Sequence, residues 1–290
     1  MKLPVEQHIN SSLPEHNVWN VKQIFVLFVA PILALLLIIA ISAYFHIGST
    51  DYVKVQTDWF LAINHYLSKL PVFWLNVTSV GDALVIFPLL SFLIIIYPQA
   101  WAALFGALPF ATLLSVAGKK IFAVPRPAAV LDHNLFTIVG DTLTAHNSLP
   151  SGHTITVFAA VTAILGALLP FPENKRHYLW LLAGLSVATF ISLSRVAVGA
   201  HWPLDVVFGA IFGYLGGISG VILTQRFKAW WQWIEEPRFR YISSIIILIL
   251  TLASLVQVVN HPYPGTGIIW VSIVSGMAVS AYLLLQKRIK

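Results

Sequence analysis

Eight apolar stretches, at about 24–45, 80–97, 100–118, 153–170, 179–194, 203–223, 242–259 and 268–285, take up most of this 290-residue chain. A bilayer crossing takes about 20 largely apolar residues, with a range of roughly 17 to 25. Backbone N–H and C=O groups find no water in lipid, so stretches of this kind fold as helices that satisfy those groups internally. The expected fold class is therefore all-α, a polytopic membrane helix bundle of about eight spans. The shorter stretches, such as Leu179–Ser194, borrow flanking residues or sit in locally thinned bilayer. Charged residues make up only 10% of the chain, against about 25% in soluble domains, which is too little polar surface to coat a soluble globule. The 13% aromatic content excludes disorder. With no cysteine, disulfides, thiolate metal sites and thiol nucleophiles are excluded as well.

Orientation follows from the cations. The first 23 residues are polar, and the run Ile24–Phe45 is longer than the roughly 7–15 residues of a signal-peptide core, so it reads as a retained first span. With the amino terminus in the cytoplasm and eight crossings, the inner segments hold Lys2, Lys22, Lys175, Arg176, Arg226, Lys228, Arg238, Arg240, Lys287, Arg288 and Lys290, 11 of the 17 Lys and Arg. Positive residues favour the cytoplasmic side. Both termini are thus expected inside a bacterial-type cytoplasmic (inner) membrane. The net charge of +6 is mostly this topology signal, and no basic soluble face exists to bind nucleic acid.

The outer segments hold the other six cations, and three of these fall in patterns with chemical meaning. Lys119 follows the third stretch, and Arg126-Pro127 comes seven residues later. Pro150-Ser151-Gly152-His153 opens the fourth stretch, and Ser194-Arg195 precedes His201-Trp202-Pro203-Leu204-Asp205 between the fifth and sixth. Hydropathy and charge alone place all three patterns on one face. Arg suits bidentate recognition of phosphate oxygens and Lys acts as a point charge. Ser151 is placed to cap a helix whose free N–H groups and dipole favour an anion, and Gly152 lets backbone approach a ligand. Pro203 suits a first helical turn, which puts His201 at the helix start with Asp205 four residues on, able to orient the imidazole if the helix begins early enough. An imidazole so oriented is a nucleophile near neutral pH, and His153 is available as general acid for a leaving oxygen. Taken singly, Arg-Pro after a span reads as an anchor and a turn, Pro-Ser-Gly as a helix start, and a histidine at a membrane edge as a solvated residue. Their conjunction on one face, over about eleven specified positions, is what points to a phosphoryl site.

At these residues the chain resembles the type 2 phosphatidic acid phosphatase superfamily, which shares its core with vanadium-dependent haloperoxidases and bacterial class A acid phosphatases. The family signature is Lys, six residues, Arg-Pro; then Pro-Ser-Gly-His; then Ser-Arg, five residues, His, three residues, Asp, and every position is matched here. The resemblance implies that Lys119, Arg126, Ser151, Gly152 and Arg195 bind the phosphate. It implies that His201 forms a phosphohistidine, Asp205 supports it and His153 protonates the leaving group. It covers roughly residues 50–225, including a six-span helical core, and gives the last two spans no role. The implied substrate is a membrane lipid phosphate of the undecaprenyl pyrophosphate, phosphatidylglycerol phosphate, phosphatidic acid or lipid A type, with no metal and no cofactor. The implied organisation is a cytoplasmic segment at 1–23, a membrane-embedded phosphatase core at 24–225, and a cytoplasmic linker with two additional spans at 226–290. Oligomeric state is left open. A lipid phosphotransferase using the same phosphohistidine is the nearest alternative; a transporter or flippase is a more distant one.

Further segments flank this set. Asp51–Leu75, with Trp59, Phe60, Ile63, Tyr66 and Leu67 interleaved with polar residues, reads as an amphipathic helix in the outer interface. The loop Ala128–Leu149 is either a substrate lid or a plain connector. Asp82 reads as a helix-start or interface residue rather than a catalytic one. Trp230, Trp231 and Trp233 among basic residues read as an inner interfacial anchor. The last two apolar runs carry no charge, which argues for packing or oligomerisation rather than transport.

Overall fold

A computed structural model describes residues 19–44, 48–169, 175–260 and 266–286. Lys2, Lys287, Arg288, Lys290 and most of the amino-terminal segment lie outside these residues. Among the described residues the structure is helical throughout. Six helices are long and apolar enough to cross a membrane: α1 (Val21–Tyr44), α6 (Pro98–Phe122), α9 (Lys175–Ala197), α10 (Pro203–Arg226), α12 (Arg240–Asn260) and α13 (Gly267–Leu285). The shorter apolar α8 (Gly152–Leu168) has 17 residues. The chain is a multi-pass, all-α membrane bundle, and each apolar stretch has a helical counterpart.

The second stretch differs from expectation. Instead of one span over 80–97, α3 (Pro71–Ser79) and α4 (Ala83–Leu89) meet at a 74° bend, and the short α5 (Leu93–Ile96) follows. Asp82 causes the restart: its extended backbone and side chain, accepting from Leu84 N at 2.9 Å, cap α4. Farther on, Pro88 inside α4 and Pro98 at the start of α6 leave too few consecutive donors for a continuous helix. The helix expected over 51–75 is likewise shorter. It is α2 (Ser49–Leu67), and Pro71 opens α3 on a new axis.

α10 is the central post, packed against α8 and α6. Lipid is as apolar as leucine, so helix contact here depends on close approach of small residues. A Cβ on Gly213 would lie 2.6 Å from Ile155 O, and one on Gly217 would lie 2.7 Å from Ala159 O. On the adjoining face, a Cβ on Gly220 would stand 2.5 Å from Ala107 N of α6. These glycines bring three helix axes together and hold the ends of α6, α8 and α10 that carry Lys119, Ser151 and Asp205 in fixed register. α12 and α13 pair with each other and dock on α4, burying Ile86, Phe87, Trp101, Ile247, Val279 and Leu283 in one cluster. At the end of the bundle away from His201, α11 (Lys228–Glu235) buries Ile234 and leaves Trp230 exposed.

Candidate active site

The three sequence patterns meet at one end of the bundle. Lys119 is in the last turn of α6, Arg126 just precedes the short helix α7 (Pro127–Val130), and Ser151 caps α8. Arg195 lies in the last turn of α9, and His201 stands in the short connection to α10. Arg126, Ser151, Arg195, His201 and Asp205 are all buried.

His201 is held from several sides. Its backbone N–H donates to Arg195 O at 3.2 Å, in a turn that also carries Gly199. Gly199 has φ +77°, and a Cβ there would meet Thr137 O at 2.7 Å, so both the conformation and the space require glycine. The His201 imidazole Nε2 faces Arg126 Nη1 at 3.3 Å, and its Nδ1 lies 3.2 Å from Asp205 Oδ2. The expectation that His201 and Asp205 share a helix face needs correcting. α10 begins only at Pro203, with Trp202 as its cap. Asp205 reaches back at the helix entrance, accepting from Trp202 N at 2.9 Å, and this brings its carboxylate to the imidazole.

Two partners of Asp205 escaped the sequence reading. Tyr52 of α2 donates its hydroxyl to Asp205 Oδ1 at 2.8 Å. Burial first, and then the neighbouring Asp205 charge, push the Tyr52 hydroxyl's pKa up, so it stays a proton donor. Ser148 donates its hydroxyl to Asp205 Oδ2 and lies 3.4 Å from His201 Nδ1. α2, expected from the sequence to lie at the interface, is therefore a wall of the site. Its Gln56 accepts from Leu204 N at 2.9 Å, and its buried Asn64 donates to the carbonyls of Thr137, Val196 and Ala197. The Ala128–Leu149 segment is tied to the same floor: Asn147 Oδ1 accepts from Arg126 Nε at 2.8 Å, and Val139 N donates to Val198 O.

The cations are fixed by separate anchors. Arg126 Nη1 also donates to Ala200 O at 3.1 Å, and Arg195 Nη1 donates to Thr78 Oγ1 at 2.7 Å. Gly152 keeps space open beside Lys119, whose Nζ would lie 3.4 Å from a Cβ there. His153 packs on Gly81 at the α3–α4 break, where a Cβ would stand 2.8 Å from the His153 Cβ. All eight residues singled out from the sequence therefore cluster around this end of α8 and α10. Among the described residues no group of three His, Asp or Glu is arranged to hold a metal ion. The site's charge is instead cationic around an imidazole pair.

Burial holds the His201 pKa well below its usual value, and the charges of Arg126, Arg195 and Lys119 push the same way. A lowered pKa means a larger neutral, nucleophilic fraction at any given pH. The acid limb of kcat/KM is accordingly expected below pH about 6.5, the ordinary imidazole value. A pH profile between 4.5 and 8.5 checks this, and a limb centred at or above the ordinary value would contradict it.

A polytopic helical bundle that gathers two imidazoles and three cations at one end defines a class: membrane proteins with a cationic, histidine-bearing site. The chain carries a PAP2 superfamily domain, matched over residues 100–233. Among similar proteins, the lipid A 1-phosphatase of Porphyromonas gingivalis is 42% identical over 97 residues, covering 33% of this chain and 18% of that protein. The bacitracin transport permease protein BcrC of Bacillus licheniformis is 28% identical over 55% of this chain and 63% of its own length. The undecaprenyl-diphosphatase of Sulfolobus acidocaldarius is 28% identical over 62% of this chain and 84% of its own length. The chain thus spans less than two thirds of the first two of these proteins.

Proposed function

We propose that this chain is an integral membrane lipid phosphatase, hydrolysing a phosphomonoester or pyrophosphate of a lipid through a phosphohistidine on His201. The observation that carries the reading is the placement of Arg126 Nη1 3.3 Å from His201 Nε2, with Asp205 on the other ring nitrogen. A nucleophile, its orienting carboxylate and a phosphate-binding guanidinium are thereby assembled at one point.

The step runs as an in-line displacement. Neutral His201 Nε2 attacks phosphorus while Lys119, Arg126, Arg195 and the amino-terminal end of α8 offset charge on the equatorial oxygens. The bond from phosphorus to the leaving oxygen breaks, and that oxygen takes a proton from His153. Water, deprotonated by the now neutral His153, then cleaves the phosphorus–nitrogen bond and returns His201.

Lipid is favoured over a soluble ester by an apolar groove of about 190 Å³ between α4, α6 and α8. It runs from Gly152 and Ser115 at the phosphate end to Phe87, Leu104 and Ala160 in the bundle, so an acyl or prenyl chain can stay in an apolar setting while its phosphate reaches the cations. The charge asymmetry of the sequence supports placing this end on the periplasmic or extracellular face, with both termini cytoplasmic and the bacterial inner membrane as the host. The transport name of one relative favours a second reading, in which the chain moves a lipid phosphate without cleaving it.

Rapid quenching with a phosphorus-labelled lipid phosphate separates the two. The phosphatase reading expects label on the protein, stable to alkali, labile to acid and absent from His201→Gln. Transport without any labelled protein would defeat it.

A further inference from the structure

A cavity of about 390 Å³ lies beside the histidine site, with His153 and Arg195 on one side. Its far wall is built from Asp82 at the α3–α4 break, Gln257 and Val258 of α12, and Ile269 of α13. The two carboxy-terminal helices, which the signature motifs leave without a role, thus reach the site directly.

The far wall has a defined polarity. Gln257 Nε2 donates to Asp82 Oδ2 at 2.8 Å, while Asp82 Oδ1 accepts from Leu84 N. The first bond fixes the amide's orientation, and Gln257 Oε1 is left buried without a hydrogen-bond partner. Across the cavity, Arg195 uses Nη1 on Thr78, and its Nε is likewise buried without a partner. A buried acceptor left unmatched costs about 1–3 kcal/mol, which a ligand donor would recover. Asp141 also lines the space. With the Asp82 carboxylate engaged by Gln257 and Leu84, Gln257 Oε1 is the acceptor this wall offers a hydroxyl group, and the carboxylate charge beside it repels a second phosphate.

We propose that α12 and α13 supply a headgroup subsite in which Gln257 Oε1 accepts a hydrogen bond from a hydroxyl of the group attached to the leaving oxygen. The subsite selects a neutral, hydroxyl-bearing headgroup, a sugar or a polyol, over a diphosphate. Its orientation rests on the phosphatase reading, in which His153 marks the leaving-group side. Arg195 stands where cation and acceptor wall meet, so phosphate and headgroup are read from adjoining positions.

The test is equilibrium binding of three non-hydrolysable ligands of equal chain length to the full chain in detergent: an alkyl phosphonate, an alkyl-chain sugar phosphonate and an alkyl methylenediphosphonate. The native chain is expected to bind the sugar phosphonate roughly three- to tenfold more tightly than the plain one, the range of one hydrogen bond. Gln257→Leu is expected to bring that ratio close to one. Gln257→Met, matched in length, replaces it if the leucine variant does not fold. A merely structural role for Gln257 would weaken both ligands and leave the ratio intact, which overturns the proposal. A native chain with no sugar preference, or one that prefers the diphosphonate, overturns it too. Phosphate release from lipid substrates is scored separately: its absence sinks the phosphatase reading, while the binding ratio still decides the subsite.

Discussion

Purified His201→Ala protein is expected to release phosphate from lipid substrates on the order of 10⁴-fold more slowly than the native chain, because the proposed mechanism then loses its nucleophile rather than one of several charges. The variant should still fold. Asp205 keeps the hydrogen bonds from Tyr52, Ser148 and the Trp202 backbone, and Arg126 keeps Asn147 and Ala200 O. The phosphate cations also remain, so inorganic phosphate or vanadate should bind within a few-fold of its native affinity. Loss of turnover with retained oxyanion binding separates a missing nucleophile from a collapsed site. Near-normal phosphate release by the folded variant would remove His201 from the mechanism.

What could be read from the sequence and what could not divides by the range of the interaction. Hydropathy over some twenty residues is a local signal, and it located the long apolar helices of the bundle but not the short α3, α7 and α11. The spacings Lys119 to Arg126 and His201 to Asp205 are also local, and all of these residues converge. Tyr52 and Ser148 were missed because their bonds to Asp205 cross 153 and 57 positions of chain. Nothing near Tyr52 distinguishes it from the other aromatics of an amphipathic helix. Its i, i+4 relation to Gln56, also turned to the site, was the one local clue. The broken second span was half legible: Asp82 announced a helix start, but hydropathy averages over a break and kept the stretch whole. The spacing of Gly209, Gly213 and Gly217 along α10 was not read as a signal in the sequence. Only the packing shows that it sets the spacing between α8 and α10, and therefore between Ser151 and Asp205. The role of the last two helices was illegible for the same reason as Tyr52. Gln257 meets Asp82 across 175 positions, and an uncharged glutamine in an apolar run carries no signal of its own.

Asp205→Asn should be the most damaging change that adds or removes almost no volume. Both carboxylate oxygens of Asp205 are acceptors in the structure: Oδ1 takes the Tyr52 hydroxyl, and Oδ2 takes Ser148, the Trp202 N–H and the His201 ring nitrogen. An amide offers one acceptor and one donor. If its NH₂ occupies the Oδ2 position, it faces the Trp202 N–H, donor against donor, and α10 loses its entry cap. If it occupies the Oδ1 position, Tyr52 must turn its hydroxyl away within a buried setting. The first arrangement also offers a hydrogen to His201 Nδ1, which favours the tautomer with its proton on Nε2, the nitrogen that must attack. The second spares the tautomer but leaves a neutral partner in place of the charge that stabilises the imidazole as it bonds to phosphorus. Either way turnover should fall by roughly 10² to 10⁴-fold, the scale of a lost tautomer-fixing carboxylate in other imidazole sites. Thermal stability should drop with it, since a buried donor left unmatched costs about 1–3 kcal/mol. Tyr52→Phe alone provides the internal control. It removes the donor to Oδ1 but leaves the carboxylate with Ser148, the Trp202 N–H and His201, so it should lower stability while keeping far more activity than Asp205→Asn. A loss of activity from Tyr52→Phe as large as that from Asp205→Asn would mean that Asp205 acts on the fold alone and not through His201.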